Sequence, residues 1–311
     1  MTNGIIIIHK EQDYTSADVV ALLRGMFGQR KIGHTGTLDP NATGVLPVCL
    51  GSATKLCDML TDQTKEYHAT LELGKESDTQ DVWGTVTQKD PSLWQHLTKE
   101  EICAAAATFQ GVYDQLPPMY SAVKIGGKRL YELARAGKEV ERKTRSVTIY
   151  EIEVLSVNLP NVELRVRCSK GTYIRTLIAD LGEKLGCGAV MSALIRTSSG
   201  GFDLSQAYTL EQVQEMKDTG RLLETVLPVD SCFMEYPAIK VKEAYMDRLY
   251  NGNYLFERMV SGMNGEKFRY EAYPESITEF RIYDIHGTFC GIYFWDAAHE
   301  NLHVRKMFLP M

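Results

Sequence analysis

One aspartate lies in a segment whose composition is unusual for a simple connection between two elements. Asp39 is the only acidic residue of residues 34–48. Gly36, Pro40 and Gly44 free or restrict the backbone around it, which is typical of a tight loop. An aspartate before a proline often caps a turn through its side chain. A carboxylate held in such a loop can instead act as a nucleophile or stabilise a cationic centre. Local composition leaves both interpretations open.

The overall composition is that of an ordinary soluble globular protein. Of 311 residues, 44% are hydrophobic and 24% are charged. This length suffices for two domains, because a single core rarely grows beyond about 250–300 residues. No stretch approaches the roughly 20 apolar residues that cross a bilayer. The four isoleucines of residues 5–8 indicate a buried strand rather than a signal peptide, so a cytoplasmic location is expected.

Cysteine and histidine give no sign of a metal centre or a disulfide framework. The seven cysteines are scattered and contain no Cys-x-x-Cys pair, and the seven histidines show no ligand spacing. A structural zinc site and a set of disulfides are therefore not expected. We expect no metal among the site residues.

One segment is strongly basic although the net charge of the chain is −6. Residues 124–145 contain eight Lys or Arg and three Glu, so this segment carries +5 and the rest of the chain −11. A basic stretch on an acidic body is typical of a phosphate-contact surface. The interleaved glutamates favour the alternative, a solvated helix face with mixed charge.

Periodicity and capping residues predict strands and helices in an irregular order. Thr15 and Ser16 indicate a helix start, Thr98 and Glu101 form a capping box, and the apolar spacing of residues 174–185 predicts an amphipathic helix. The predicted helices are 16–27, 53–60, 102–108, 129–136, 173–185 and 241–250, and the predicted strands are 5–8, 45–50, 67–73, 147–157, 162–168, 280–283, 289–294 and 304–309. Hairpin-like pairs without a strict β-α-β rhythm favour an α+β fold with a mixed sheet.

Several contiguous motifs resemble those of one enzyme family, the bacterial TruB-type pseudouridine synthases. Residues 34–48 are similar to the catalytic motif of this family. The other matches, in the family's order, are Lys65-Glu66-Tyr67, Leu73-Gly74 through Asp78-Thr79 with Asp81 and Gly84, Pro117 through Ala122, Gly171 through Leu177, and Leu194 through Thr197. The resemblance is strong over about residues 1–230 and weaker beyond them.

This resemblance implies a reaction and a catalytic set. The expected reaction converts the uridine at position 55 in the T-loop of tRNA into pseudouridine, on a base flipped out of the stack. It breaks the bond between base and C1′ and forms a carbon–carbon bond, so no cofactor is expected. By the match, Asp39 is the nucleophile, Arg175 keeps it ionised and oriented, and Tyr67 packs on the flipped uracil.

The resemblance also implies contacts with RNA. His34 matches the residue that fills in against the loop bases as the target leaves, and Tyr173 and Leu194 match positions that line the base pocket. The basic segment of residues 124–145 corresponds to a family insertion that clamps the T-arm. Phosphate contacts are expected from Lys128, Arg129, Arg142 and Lys143. The expected partner is the tRNA T-arm, bound by a monomer without a guide RNA or a membrane.

The expected organisation has two domains. Residues 1–232 form the pseudouridine synthase catalytic domain, with the basic insertion at 124–145. The pattern changes near residues 228–237, and residues 233–311 resemble a small PUA-type β-barrel, an RNA-binding module. Nine basic and ten acidic residues nearly cancel over residues 238–311, so charge does not indicate RNA binding there.

One departure from the family pattern concerns the first loop. The family commonly has Lys-Pro-x-Gly where this chain has Lys10-Glu11-Gln12-Asp13. Both the proline and the glycine are missing, which puts the conformation of this loop in doubt rather than the reaction.

Three other functions deserve comparison with the leading one. A non-catalytic RNA-binding or RNA-folding protein on the same scaffold is the main alternative, and the presence of Asp39, Tyr67 and Arg175 argues against it. A carboxylate-dependent hydrolase or phosphotransferase would need further acids for Mg²⁺ near the nucleophile. An RNA-guided pseudouridine synthase of the dyskerin branch is disfavoured by the absence of basic tails.

Overall fold

The main sheet of the computed structural model has nine strands and places the strand after the Asp39 loop near one edge. The structure describes residues 1–121, 123–138 and 140–309. The strands are β1 Gly4–Lys10, β2 Ile32–His34, β3 Thr43–Leu50, β4 Lys65–Leu73, β5 Lys75–Ser77, β6 Val86–Gln88, β7 Gly111–Gln115, β8 Lys124–Ile125, β9 Lys128–Arg129, β10 Arg145–Asn158, β11 Asn161–Cys168, β12 Ala189–Ser199, β13 Phe202–Asp203, β14 Ala238–Val241, β15 Leu255–Phe256, β16 Val260–Gly262, β17 Glu279–Tyr283, β18 Phe289–Asp296 and β19 Asn301–Met307.

Helices cover the main sheet and connect its strands. The α-helices are α1 Ser16–Phe27, α2 Cys57–Thr61, α3 Lys99–Ala107, α4 Leu130–Arg135, α5 Ile174–Lys184, α6 Leu210–Asp218 and α7 Met246–Tyr250. No helix among the described residues is long and apolar enough to cross a membrane.

The strand order of the main sheet is β1-β3-β12-β4-β11-β10-β7, with β2 beside β3 and β13 beside β12. The β3–β12 pair is parallel, whereas its neighbours β1–β3 and β12–β4 are antiparallel. This is the mixed sheet that the sequence predicts. Gly44 makes the parallel contact possible, because a Cβ there would lie 2.2 Å from the carbonyl oxygen of Arg196.

Helix α5 packs closely on the sheet and carries Arg175 in its first turn. Leu177, Ile178 and Leu181 are fully buried on its apolar face, as the spacing predicts. Gly182 allows the close approach, since a Cβ there would lie 2.1 Å from the backbone nitrogen of Ala189 at the start of β12. The distance of α5 from the sheet is therefore fixed, and so is the position of Arg175 in its first turn.

Both predicted capping signals are confirmed, and two predicted helices need correction. Thr15 and Thr98 each close a capping box, over α1 and α3. The helix predicted at 53–60 is a 3-10 helix at Gly51–Leu56 followed by α2. The helix predicted at 241–250 starts only at Met246, because Val241 pairs with Val260 in a sheet and pairing overrides local helical propensity.

A second sheet of six strands forms the C-terminal part, in the order β15-β19-β18-β17-β14-β16. Its barrel-like shape and its own buried core fit a PUA-like module, so the predicted α+β fold class is confirmed. Ile292 and Phe308 of this part also share a core with Ile5 and Val45 of the main sheet. We propose a domain boundary between residues 232 and 233, ahead of β14.

Candidate active site

Asp39 lies at the mouth of a cavity where five separate chain segments meet. The cavity has a volume of about 280 Å³. Its walls come from the loop after β2, the chain from the end of α2 into β4, residues 120–121, the chain around the start of α5, and β12. Asp39, Tyr67, Tyr173, Arg175 and Leu194 all line it. The structure therefore brings together five of the residues that the sequence indicates for catalysis and base binding.

The guanidinium of Arg175 holds the Asp39 carboxylate. Arg175 Nη2 lies 3.1 Å from Asp39 Oδ2. Nη1 and Nη2 also donate to the carbonyl oxygens of Thr79 at 3.0 Å and Tyr120 at 2.9 Å. The Arg175 side chain is 7% exposed and that of Asp39 is 44% exposed. The buried guanidinium of Arg175, which is always charged, thus orients the Asp39 carboxylate, whose other face remains open to a substrate.

Asp81 is the second carboxylate on Arg175, although no role for it is predicted from the sequence. Its Oδ2 lies 3.3 Å from Arg175 Nη1, and its side chain is 11% exposed. Asp81 Oδ1 accepts hydrogen bonds from the Thr79 hydroxyl at 2.5 Å and from the Trp83 backbone N–H at 3.1 Å. Asp81 lies within a matched motif, but only the fold reveals its contact with a residue 94 positions later.

A second buried arginine supports the wall of the cavity. Arg196 on β12 is 1% exposed, and it donates to the carbonyl oxygens of Val45 at 2.7 Å and Gly36 at 3.3 Å. Its cross-strand neighbour on β4 is Tyr67. Burial raises the pKa of Tyr67 above its ordinary value, so the hydroxyl stays protonated at neutral pH. Arg196 thus joins Tyr67 to the loop that carries Asp39.

Two buried lysines hold backbone next to Asp39 and at the end of α2. Lys10 Nζ donates to the carbonyl oxygens of Tyr14 at 2.7 Å and Pro40 at 3.0 Å. Lys65 Nζ donates to the carbonyl oxygens of Thr61 and Gln63 at the end of α2. Burial lowers the pKa of each lysine from 10.5 to about 8. Both side chains therefore hold backbone in place at the cost of desolvating a cation.

Two protein-family models match the chain. A model of the N-terminal domain of the TruB family of pseudouridylate synthases matches residues 24–174. A model of the C-terminal domain of tRNA pseudouridylate synthase B matches residues 175–234. The chain belongs to the TruB family of pseudouridylate synthases. The predicted family and the predicted enzyme class are confirmed.

Curated TruB-family relatives match most or all of the chain. A protein named tRNA pseudouridine synthase B from Lachnoclostridium phytofermentans is 44% identical, over 99% of this chain and all of its own length. A protein of the same name from Alkaliphilus oremlandii is 47% identical, over 82% of this chain and 83% of its own.

Solved structures share the fold of this TruB-family chain. A chain in the crystal structure of a Cbf5-Nop10-Gar1 complex matches with a TM-score of 0.70 and 26% identity, over 99% of this chain and 85% of its own length. A chain in the structure of an H/ACA RNP bound to a substrate RNA matches with the same TM-score and coverage at 24% identity.

The first loop keeps a glycine-like backbone although this TruB-family chain lacks the glycine. Asp13 has a φ of +70°, in the left-handed region that glycine adopts without strain. Its backbone N–H donates to the carbonyl oxygen of Pro40 at 3.0 Å, directly after Asp39. The departure from Lys-Pro-x-Gly therefore leaves this loop attached to the catalytic loop, with a strained residue at the fourth position.

Not every predicted RNA-binding residue lines the cavity. His34 lies at the end of β2, where its Nδ1 accepts a hydrogen bond from the Gly36 N–H at 3.3 Å, and burial lowers its pKa. Arg142 donates to the carbonyl oxygen of Pro117 at 3.0 Å and borders a neighbouring cavity. The side chain of Arg129 lies outside what the structure describes. Lys128 and Lys143 are exposed.

Two positions of the predicted motifs also fall outside the described residues. They are Ala122, at the end of the Pro117 motif, and Glu139, within the basic segment.

Proposed function

We propose that this chain isomerises uridine to pseudouridine in tRNA, at position 55 of the T-loop, with Asp39 as the nucleophile. The observation that supports it is the ion pair between Asp39 and Arg175 at the mouth of a cavity lined by aromatic rings. Membership of the TruB family and the names of the curated relatives support the tRNA substrate.

The proposed reaction needs only groups that the cavity supplies. The bond between uracil N1 and C1′ breaks and a bond between C5 and C1′ forms. The hydrogen on C5 leaves as a proton, and N1 ends protonated, so atoms and electrons balance without an oxidant. The Asp39 carboxylate attacks C1′ or C6, or stabilises the cationic sugar. The guanidinium of Arg175 favours the ionised form of Asp39 that each route requires.

The remaining cavity residues receive the base. Reaching C1′ and C5 requires the uridine to leave the RNA stack, which costs a few kcal/mol that stacking in the pocket offsets. The ring of Tyr67 offers the stacking surface, and its protonated hydroxyl would move a proton during the rearrangement. Tyr173 and Leu194 also line the cavity and would contact the base.

We also propose that the RNA is held by phosphate contacts from the basic segment of residues 124–145, by a monomer without a guide RNA. His34, at the edge of the catalytic loop, would fill the space that the flipped base leaves. Phosphate contacts position a nucleic acid without reading its sequence, so target choice would rest on the cavity and on the shape of the T-loop.

A direct assay tests the proposal. Unmodified tRNA transcripts are incubated with the protein without any cofactor, and pseudouridine is mapped by base. We expect one modified base, at position 55, and a loss of turnover by several orders of magnitude in Asp39→Asn, with tRNA binding retained. Tight binding without pseudouridine in the wild type would instead support the alternative of a non-catalytic RNA-binding protein on this scaffold.

A further inference from the structure

Three potential metal ligands converge at the end of a hairpin in the C-terminal sheet. Asp296 ends β18, and His299 lies in the turn before β19, which contains His303. The Asp296 oxygen and the two imidazole nitrogens all lie within 4.8 Å of one another. The hairpin register produces this cluster, because it places His303 opposite Phe294 and returns the chain to Asp296. None of the three lines the Asp39 cavity.

The separations suit a single ion. Asp296 Oδ2 lies 2.7 Å from His299 Nδ1 and 3.7 Å from His303 Nε2. Ligand bonds of about 2.0–2.2 Å in a tetrahedral zinc site place neighbouring donor atoms about 3.4 Å apart. The two observed distances lie on either side of this value, so small side-chain rotations would bring all three donors to one ion.

Surrounding contacts hold Asp296 and His303 in place, whereas the His299 side chain is 69% exposed. Asp296 Oδ1 accepts a hydrogen bond from the Ala298 backbone N–H at 2.9 Å, which leaves Oδ2 facing the histidines. The His303 ring packs near the rings of Tyr254 and Phe294, at centroid distances of 6.0 and 5.8 Å. Support of this kind orients the ligands in known metal sites.

One atom of the cluster lacks a partner. His303 Nε2 is shielded from solvent and has no hydrogen-bond partner among the described residues. A buried nitrogen without a partner is costly, and a simple Asp–His ion pair leaves it unexplained, because the Asp296 oxygen at 3.7 Å is beyond hydrogen-bonding distance. A bound cation would satisfy this nitrogen with its lone pair.

We propose that Asp296, His299 and His303 bind one divalent transition-metal ion, of which Zn²⁺ fits the donor set best. Two imidazoles and one carboxylate suit zinc and its neighbours in the transition series. Three protein ligands leave a fourth position for water. The ion would fix the turn of residues 297–300, where Glu300 adopts a φ of +49°. His299 and His303 have a spacing that zinc ligands use, but two histidines alone do not indicate a site, and only the hairpin brings Asp296 beside them as a third ligand.

Zinc titration of the full-length, chelator-stripped protein tests the proposal. In competition with a chromophoric chelator, we expect one ion per chain and a Kd in the micromolar range or below. His299→Gln and His303→Gln should each weaken binding at least tenfold, and the double variant should abolish it. His286→Gln, on the β17–β18 turn at the other end of β18, is the matched control and should bind as the wild type does.

Two measurements exclude zinc binding by the cysteines and effects of misfolded variants. Co²⁺ bound to nitrogen and oxygen lacks the near-ultraviolet band of a cobalt–thiolate site. In wild-type protein, Zn²⁺ should shift the ring proton signals of only two histidines, which needs no variant. A thiolate band, equal affinities in the wild type and the double variant, or no binding by the wild type would each overturn the proposal.

Discussion

Asp81 and Arg175 form an ion pair in which both side chains are almost fully shielded from solvent. The Oδ2–Nη1 distance is 3.3 Å, and the side chains are 11% and 7% exposed. Asp39, on the other terminal nitrogen of Arg175, is 44% exposed. The guanidinium thus has one buried carboxylate partner, Asp81, and one accessible partner, Asp39. An orientation fixed before the substrate arrives avoids reorganisation during the reaction.

Asp81→Asn should lower kcat by about 10- to 100-fold and leave the tRNA dissociation constant unchanged. The amide keeps the shape of the carboxylate but not its charge, so the Arg175 fork is held less firmly and Asp39 is less well oriented. Single-turnover rates with saturating enzyme measure this. Asp78→Asn, an exposed residue of the same loop, is the control. Equal single-turnover rates in wild type and Asp81→Asn would exclude a positioning role.

Tyr67 should contribute through both its ring and its hydroxyl. Tyr67→Phe keeps the stacking surface and loses the hydroxyl, whereas Tyr67→Leu loses both. We expect turnover to fall in the order wild type, Phe variant, Leu variant, with the Leu variant slowest by several orders of magnitude. Pseudouridine formation over time on one tRNA transcript checks the order. Wild-type turnover in Tyr67→Leu would remove this residue from the site.

The sequence predicts the residues that would carry the reaction better than it predicts the contacts that position them. Asp39, Tyr67 and Arg175 lie in contiguous motifs, and each lines the cavity. Asp81 and Arg196 lie in matched motifs too, but their roles depend on partners that only the β4–β12 pairing and the depth of α5 bring close. Sequence spacing carries no information on such contacts.

Secondary structure was predicted well where a local signal agreed with the sheet. Thr15 located the start of α1 to the residue, and the capping box at Thr98 is confirmed, although the helix begins at Lys99 rather than at the predicted residue 102. The helix expected from residue 241 failed because Val241 is the last residue of a paired strand. Tertiary pairing decides such cases, and the apolar spacing of a short segment fits both outcomes.

Asp13→Gly should raise the free energy of unfolding by about 0.5–1 kcal/mol. The left-handed φ of +70° costs an aspartate about 1–2 kcal/mol, and the greater freedom of glycine in the unfolded chain cancels part of this gain. Urea unfolding followed by circular dichroism measures it. Asp13→Asn, which tolerates the same backbone, should lie within about 0.5 kcal/mol of the wild type. A destabilised glycine variant would show that the loop is unstrained.

Lys10 should make stability depend on pH in a definite direction. Its pKa is lowered from 10.5 to about 8 in the folded protein because burial disfavours the cation. Between these values the unfolded chain holds a proton that the native protein lacks, so the free energy of unfolding rises with pH, by up to about 1.4 kcal/mol per unit. Below pH 8 both states are protonated and this slope disappears.

The comparison of wild type with Lys10→Met isolates that contribution, since other titrating groups are common to both. The wild-type free energy of unfolding minus that of the variant should increase from pH 8 to pH 10.5 in urea titrations. Exposed Lys99→Met is the control and should give a flat difference. A difference that is flat or falling for Lys10→Met would mean that this lysine keeps its ordinary pKa when folded.

The basic segment of residues 124–145 should grip RNA through phosphates. Each phosphate contact releases counterions, so the logarithm of the affinity falls with the logarithm of salt concentration, by about 0.7–0.9 per contact. Lys128, Lys138 and Lys143 are exposed, so a triple alanine variant removes charge without disturbing packing. Arg142 stays intact, because its hydrogen bond to Pro117 serves the structure. The variant should bind tRNA more weakly and with a shallower salt slope.

A charge-matched control separates specific contacts from net charge. Arg30, Lys99 and Lys217 are also exposed and lie outside the segment, so their triple alanine variant changes the charge of the chain by the same amount. We expect this control to keep the wild-type salt slope, measured from dissociation constants between low and moderate salt. The modified position should stay the same in both variants, because phosphate contacts carry no sequence information. Equal affinities and parallel slopes in all three proteins would show that the basic segment is only a solvated surface.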